Sequence, residues 1–188
     1  IVFWGLGNVA IWLSLWPLVI TGVLPLWAGF ILATLCVTVC YLPSHEAQHN
    51  NIARPNTSLR WLNELVGHVS TIPMVLPYRT ARLTHLEHHA HTNNPELDPD
   101  YGVTADGWWA AIKKSLRARI NRSGAGQNAA YAATLDRIGG EAAARARIEA
   151  LAMNLAYWGI LTALAWSGFA LEALLLWWLP RHVGVTYI

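Results

Sequence analysis

The chain has 188 residues, of which 54% are hydrophobic and only 13% are charged, and its formal net charge is +2 at pH 7. Soluble domains average about 25% charged residues, so this composition argues against an ordinary water-soluble protein. The small net charge gives no indication of a nucleic-acid partner. The chain contains 11 tryptophans, and tryptophan is enriched at membrane–water interfaces. The composition therefore predicts an integral membrane protein.

The first apolar run covers residues 1–44, which include no charged side chain. As one helix, this run would be about 66 Å long, roughly twice the hydrocarbon core of a bilayer. It therefore predicts two membrane spans joined by a turn at Thr21–Pro25. We place one helix near residues 2–20 and another near residues 25–43.

The second apolar run extends from Ala150 to Leu179 and contains a single charged residue. Ser167-Gly168 interrupts it. This pattern predicts a third helix near residues 149–166 and a fourth that starts near residue 169 and either ends at Pro180 or continues past it. The predicted fold class is all-α integral membrane, with about four transmembrane helices arranged as two hairpins.

Lysine and arginine indicate the orientation. Twelve of these 13 residues lie between Arg54 and Arg147, and cytoplasmic loops carry such an excess. We expect one membrane domain with a first hairpin at residues 1–43, a cytoplasmic histidine-rich and interfacial region at 44–148, and a second hairpin at 149–180. The chain begins without methionine and ends soon after an apolar segment, and we expect it to be a fragment.

Two further helices are expected inside the central region. Trp108-Trp109 and the basic stretch that follows predict a helix that lies either on the membrane surface or in solvent. The alanine-rich residues 129–150 predict a helix with a break at Gly139-Gly140.

The histidines form two clusters. His45 and His49 are four residues apart, and that spacing places both on one helix face directly after the second helix. A second cluster has spacings of three and four residues and consists of His85, His88 and His89. Imidazole is a ligand for iron, copper, zinc and nickel. The two clusters therefore predict five metal ligands that converge if their helices face each other.

Other polar residues are weaker candidates. A histidine ligand needs an acceptor for its second ring nitrogen, and the carboxylates of Glu46, Glu87, Asp98 and Asp100 are candidates for that role, although each is individually more typical of a solvated loop. His91 and His68 are lesser candidates for metal ligands. His68 and His182 each stand alone, which is more typical of a packed histidine.

The first cluster also matches H-E-x-x-H, the motif of zinc metalloproteases, with His45 and His49 as ligands and Glu46 as the base. That alternative leaves most of the second cluster unexplained. A further alternative is a membrane module without enzymatic activity that binds haem through histidine pairs.

The two clusters resemble the first two histidine boxes of the membrane fatty acid desaturase superfamily, which includes hydroxylases and carotenoid ketolases. His45-x-x-x-His49 is similar to the first box, and His85-x-x-His88-His89 is similar to the second. The segments Pro77-Tyr78-Arg79 and Thr92–Asp100, on either side of the second box, also resemble the family. The resemblance covers residues 25–180.

The resemblance implies two iron ions as cofactors, bound by the five histidines, with Glu46 and Glu87 in supporting roles. It implies an oxygen-dependent oxidoreductase that introduces a double bond into a fatty acyl or other lipid chain, or a related hydroxylase or ketolase. The implied partners are a lipid, dioxygen and an electron donor such as ferredoxin or a cytochrome b5-type protein. The third histidine box of the family is absent from the 188 residues, so we expect these residues alone to bind metal incompletely.

Overall fold

The computed structural model describes residues 1–101, 105–120 and 127–184, and these residues form helices, turns and loops without a strand. The described helices are α1 (Val2–Ile20), α2 (Leu26–Val39), α3 (Tyr41–Gln48), α4 (Arg60–Ser70), α5 (Tyr78–His91), α6 (Trp108–Ile120), α7 (Gln127–Ile138), α8 (Gly140–Trp166), α9 (Ala170–Ala173) and α10 (Leu179–Gly184), with a π-helical segment at Leu174–Trp178 between the last two.

The chain divides into two compact units. The first unit comprises residues 1–78 and the segment from residue 150 onward, and the second comprises residues 79–149. The helix α8 contributes its first ten residues, 140–149, to the second unit and the rest to the first.

Three helical segments among the described residues are long and apolar enough to cross a membrane. They are Val2–Ile20, the nearly continuous α2–α3 segment Leu26–Gln48, and Gly140–Trp166. The predicted helices at 2–20 and 149–166 are therefore confirmed. The segment after residue 169 is helical but is divided into three short pieces, so the described residues show three candidate spans where the sequence predicted about four.

Aromatic rings form the core of the first unit. Trp12 of α1, Tyr157 of α8 and Trp177 of the π-helical segment are all nearly excluded from solvent. The ring centroids of Trp12 and Trp177 are 5.1 Å apart, and those of Tyr157 and Trp177 are 5.0 Å apart, in both cases edge to face. This geometry suits the aromatic quadrupole, so these rings join the first apolar run to the last.

Pro180 explains an interhelical hydrogen bond in this core. In a regular α-helix the N–H of residue 180 would donate to the carbonyl of Leu176, but proline has no N–H. The indole N–H of Trp12 donates to that carbonyl instead, at 3.1 Å. The helix continues past Pro180 to Gly184, as one of the two alternatives that the sequence left open.

The second unit has a smaller core. Leu135 of α7 packs with Ala143 and Ala146 of α8, and Leu83 of α5 packs against them. The predicted break between α7 and α8 is confirmed, because Gly139 and Gly140 both have φ angles near +63°, a conformation that glycine adopts without steric cost. The helix near residues 108–120 is also confirmed.

Candidate metal centre

The short helix α3 carries the first histidine cluster, and buried hydrogen bonds fix its position within the first unit. The side-chain amide of Asn63 and the hydroxyl of Tyr78 both donate to the carbonyl of Ala47, at 2.9 and 3.1 Å. The hydroxyl of Ser44 donates to the carbonyl of Gly67 at 3.0 Å. These three bonds tie α3 to α4 and to the start of α5.

His45 and His49 lie on the same side of α3. Their ring centroids are 4.8 Å apart and their planes are steeply inclined, at 68°. The carboxylate of Glu46 accepts a hydrogen bond from the side chain of Asn51 at 2.9 Å and lies 3.4 Å from Nδ1 of His45. Glu46 is thus placed to orient the His45 ring, with Asn51 holding the carboxylate.

His68 is held differently from the two histidines of α3. Its Nδ1 atom donates to the carbonyl of Glu64 at 2.8 Å, one helical turn back. Its ring packs against that of Tyr78, with centroids 4.6 Å apart. Local hydrogen bonding and packing therefore account for the orientation of the His68 ring.

The second histidine cluster lies on α5, in the second unit. The Nε2 atoms of His85 and His89 are 3.1 Å apart, as their spacing of one helical turn predicts. Two nitrogens that each lie about 2.1 Å from one first-row metal ion are about 3 Å apart when they occupy neighbouring coordination positions. The pair therefore fits a shared metal ion, although the same distance also suits an N–H···N hydrogen bond.

His91 and Glu87 form a separate pair on α5. The Nε2 atom of His91 lies 3.6 Å from the carboxylate of Glu87, and the guanidinium of Arg137 lies 2.7 Å from the same carboxylate oxygen. At 100° per residue, His91 is far around the helix from His85 and His89. The structure thus places Glu87 and His91 with Arg137, away from His85 and His89.

His88 is the third histidine of this cluster, and its Nδ1 atom faces a loop. That atom lies 2.8 Å from Oδ1 of Asp98 and 3.8 Å from Oδ2 of Asp100. The spacing of His88, Asp98 and Asp100 is compatible with a metal ion. A hydrogen bond from His88 to Asp98 accounts for the short distance equally well.

The loop of residues 92–101 holds Asp98 firmly. Its Oδ2 accepts from the backbone N–H of Asn93 at 2.9 Å, and its Oδ1 accepts from the N–H of Asp100 at 2.8 Å. Asn93 has a φ of 64°, which asparagine tolerates better than most residues. The side chain of Asn94 accepts from the N–H groups of Glu96 and Leu97 and so stabilises the same loop.

These contacts determine the charge of Asp98. Its side chain is only 2% exposed, and burial alone raises the pKa of its carboxyl group. Hydrogen bonds from His88 and from the backbone N–H groups of Asp100 and Asn93 outweigh burial, and they hold the pKa below its ordinary value. The carboxylate is therefore ionised at neutral pH.

The helix α7 supports the loop with residues that the sequence did not single out. The hydroxyl of Tyr131 donates to Oδ1 of Asp100 at 3.0 Å, and the guanidinium of Arg137 donates to the carbonyl of Leu97 at 3.0 Å. Asn63, which positions α3, was missed in the same way, and Tyr78 was noted only within a segment that resembles the family, without this role. No spacing in the sequence marks these residues, because each acts through a partner at least 15 positions away.

Comparisons with known proteins indicate the family of this chain. The family described as "Fatty acid desaturase" matches residues 21–188. The sn-1 oleoyl-lipid 12-desaturase of Anabaena variabilis is 33% identical over 126 residues, which cover 61% of this chain and 34% of that protein. No solved structure gave a significant match.

Two other relatives differ in the reaction that their names describe. The sn-1 acyl-lipid omega-3 desaturase (ferredoxin) of Nostoc sp. is 34% identical over 65 residues, covering 34% of this chain and 17% of that protein. The beta-carotene 4-ketolase 3 of Haematococcus lacustris is 32% identical over 92 residues, covering 47% and 28%. The chain spans about a third or less of the length of these relatives. Because the family match includes both histidine clusters and most of the chain, this protein belongs to the fatty acid desaturase family.

Proposed function

We propose that this chain is part of an oxygen-dependent membrane oxidoreductase that introduces a double bond into a fatty acyl or other lipid chain. The observation that carries the proposal is the family match over residues 21–188, together with the His85–His89 separation of 3.1 Å, which fits a bound metal ion. The relatives named as lipid desaturases support a lipid substrate.

The proposed ligands are His45, His49, His85, His88 and His89, and the proposed cofactor is a pair of iron ions. When bound, the irons would supply the oxidising chemistry that removes hydrogen from an unactivated C–H bond, using dioxygen and electrons from a redox partner. Non-haem iron commonly takes three or more protein ligands. Five histidines are few for two ions, so we propose that residues outside these 188 complete the site.

The roles of the chain's own residues follow from their contacts. The histidines hold the metal, Glu46 orients His45, and the apolar helices hold a lipid chain and exclude water from it. We propose that the 188 residues form one desaturase-like membrane domain, made of hairpins at residues 1–43 and 149–180 around a cytoplasmic region at 44–148. The excess of lysine and arginine between Arg54 and Arg147 supports this orientation.

The electron donor is proposed to be ferredoxin or a cytochrome b5-type protein. The name of the Nostoc relative, which specifies ferredoxin, favours the former. The similarity to a carotene ketolase supports lipid hydroxylation or ketolation as a second candidate reaction. The three reactions share the oxidation of a C–H bond and differ in where the substrate carbon lies.

Metal analysis of the intact protein tests the proposal. We expect about two iron ions per chain, because two histidine clusters are available to bind them. One zinc per chain without iron would contradict the proposal and favour the metalloprotease.

Glu46→Gln separates the same two classes by activity. In a metalloprotease, Glu46 would be the base, and its loss would abolish peptide cleavage. In a desaturase, the variant should retain much of its lipid oxidation, since glutamine can still accept a hydrogen bond through its side-chain carbonyl. Asn51→Ala is the matched variant, because it removes the partner of Glu46 and leaves the carboxylate in place.

A further inference from the structure

Among the described residues of the second unit, the shortest contact between a carboxylate and a histidine ring nitrogen is made by Asp98. Its Oδ1 lies 2.8 Å from Nδ1 of His88. Glu87 instead pairs with Arg137, and Asp100 is 3.8 Å from His88, beyond hydrogen-bonding distance. The sequence suggested three carboxylates in this unit as hydrogen-bond acceptors for histidine ligands. Of these three, Asp98 is the one that lies within hydrogen-bonding distance of the His88 ring.

The bond determines which nitrogen of His88 carries the proton. A carboxylate only accepts hydrogen bonds, so the donor must be Nδ1–H. A neutral imidazole has one N–H, and its lone pair is then on Nε2. Metal-binding histidines commonly have this arrangement, with one ring nitrogen bound to the metal and the other donating to a carboxylate.

Asp98 can perform this role because its own position is fixed. Backbone N–H groups of Asn93 and Asp100 donate to its two oxygens, and the residue is 7% exposed. A carboxylate that cannot rotate presents its acceptor in one direction only. The ring plane of His88 is consequently constrained as well as its tautomer.

We propose that Asp98 is the positioning residue of His88, fixing the tautomer and ring orientation with which His88 binds metal through Nε2. This inference rests on the proposed function, because it assumes that His88 is a ligand. It adds that Asp98 acts on the metal through His88 and is not itself a ligand. Tyr131 holds the neighbouring Asp100 at 3.0 Å and so stabilises the same end of the loop.

The test compares three variants of the intact protein, with iron as the probe. Asp98→Ala removes the acceptor of His88. Asp98→Asn retains an acceptor oxygen and should behave as a partial rescue. Asn94→Ala is the matched structural control, since it also removes two side-chain hydrogen bonds to this loop's backbone, whereas the contacts described for Asn94 do not include His88.

We expect Asp98→Ala to weaken iron binding about 10–100-fold, the usual cost of losing such a support, and to change the Mössbauer spectrum of the iron that binds at saturation. Asp98→Asn should fall between Asp98→Ala and the wild type. Asn94→Ala should have the smaller effect on affinity and leave the spectrum at saturation like that of the wild type.

Three results would overturn the inference. If Asp98→Ala binds iron like the wild type, the His88 contact has no role in metal binding. If Asn94→Ala has the same effect as Asp98→Ala, Asp98 acts only by shaping the loop. If Asp98→Ala loses an iron ion even at saturating iron, Asp98 is a ligand. Failure of the proposed function would look different, because the wild type itself would then bind no iron.

Discussion

The indole of Trp12 has a polar role as well as a packing role. A buried carbonyl group has no water to supply a donor. Leu176 is fully buried, and Pro180 lacks the N–H that would pair with the Leu176 carbonyl in a regular α-helix. The hydrogen bond from Trp12 satisfies that carbonyl. The apolar composition of the region predicted the helices, but this bond depends on two residues 164 positions apart and has no signature in the sequence.

Trp12→Phe tests that role, because phenylalanine retains an aromatic ring but has no N–H. We expect a loss of roughly 0.5–2 kcal/mol, the range for hydrogen bonds between membrane helices, seen as a lower apparent melting temperature in detergent. Trp166→Phe is the control, since Trp166 is 89% exposed. Equal melting temperatures for the two variants would contradict the assigned role.

Gly67 sets the distance between α4 and Tyr78. A Cβ atom at position 67 would lie 2.4 Å from the ring of Tyr78, and Tyr78 donates to the carbonyl of Ala47 beside the first histidine cluster. The sequence shows a glycine before His68 but not the ring that requires it. A side chain at this position would therefore disturb the support of α3.

Gly67→Ala should destabilise the protein by about 1–3 kcal/mol, as overpacking of a filled core does. Gly159→Ala is the matched control, because Gly159 is also helical and a Cβ there would meet nothing within 4 Å. Thermal unfolding of both variants in detergent measures the difference. A Gly67→Ala variant as stable as Gly159→Ala would show that the Tyr78 ring moves aside without cost.

At the scale of elements, helical periodicity predicted much of the fold and of the candidate site. The helix α1 occupies the predicted residues 2–20, and the spacing of His85 and His89 predicted their proximity. The sequence predicted a helix over 129–150 with a break at Gly139-Gly140 and another helix near 149–166, but it did not predict that residues 140–166 form one continuous helix, α8. It also missed the π-helical segment at Leu174–Trp178.

Helical geometry sets His91 apart from His85 and His89 on α5, and metal binding should follow that division. His89→Ala should reduce the iron content of the intact protein, because it removes one nitrogen of the closely spaced pair. His91→Ala should retain iron at the wild-type level, because His91 pairs with Glu87 on another side of the helix. Equal losses of iron in both variants would contradict the division.

At the scale of the whole molecule, the distribution of charge predicts the orientation in the membrane. The turn between α1 and α2 and the loop after α5 should lie on opposite sides of the bilayer. Val23 in the turn is 73% exposed and Glu96 in the loop is also exposed, so both positions suit chemical labelling. The native Cys36 and Cys40 are buried and should react slowly.

A membrane-impermeant thiol reagent tests this orientation in intact cells. Val23→Cys should be labelled from outside, whereas Glu96→Cys should be labelled only after the cells are opened. Labelling of Glu96→Cys from outside would place the histidine clusters on the opposite face and contradict the orientation that we derive from lysine and arginine.

Mass spectrometry of lipids tests directly whether the histidine clusters serve lipid oxidation. The intact, iron-loaded protein is incubated in membranes with dioxygen and a reduced electron donor. We expect an acyl or other lipid chain that has lost two hydrogens, or that has gained oxygen if the protein is a ketolase or hydroxylase, and no such product with His88→Ala. An iron-loaded wild-type protein that leaves the lipids of its own membrane unchanged, or a His88→Ala variant that oxidises them equally well, would contradict this expectation.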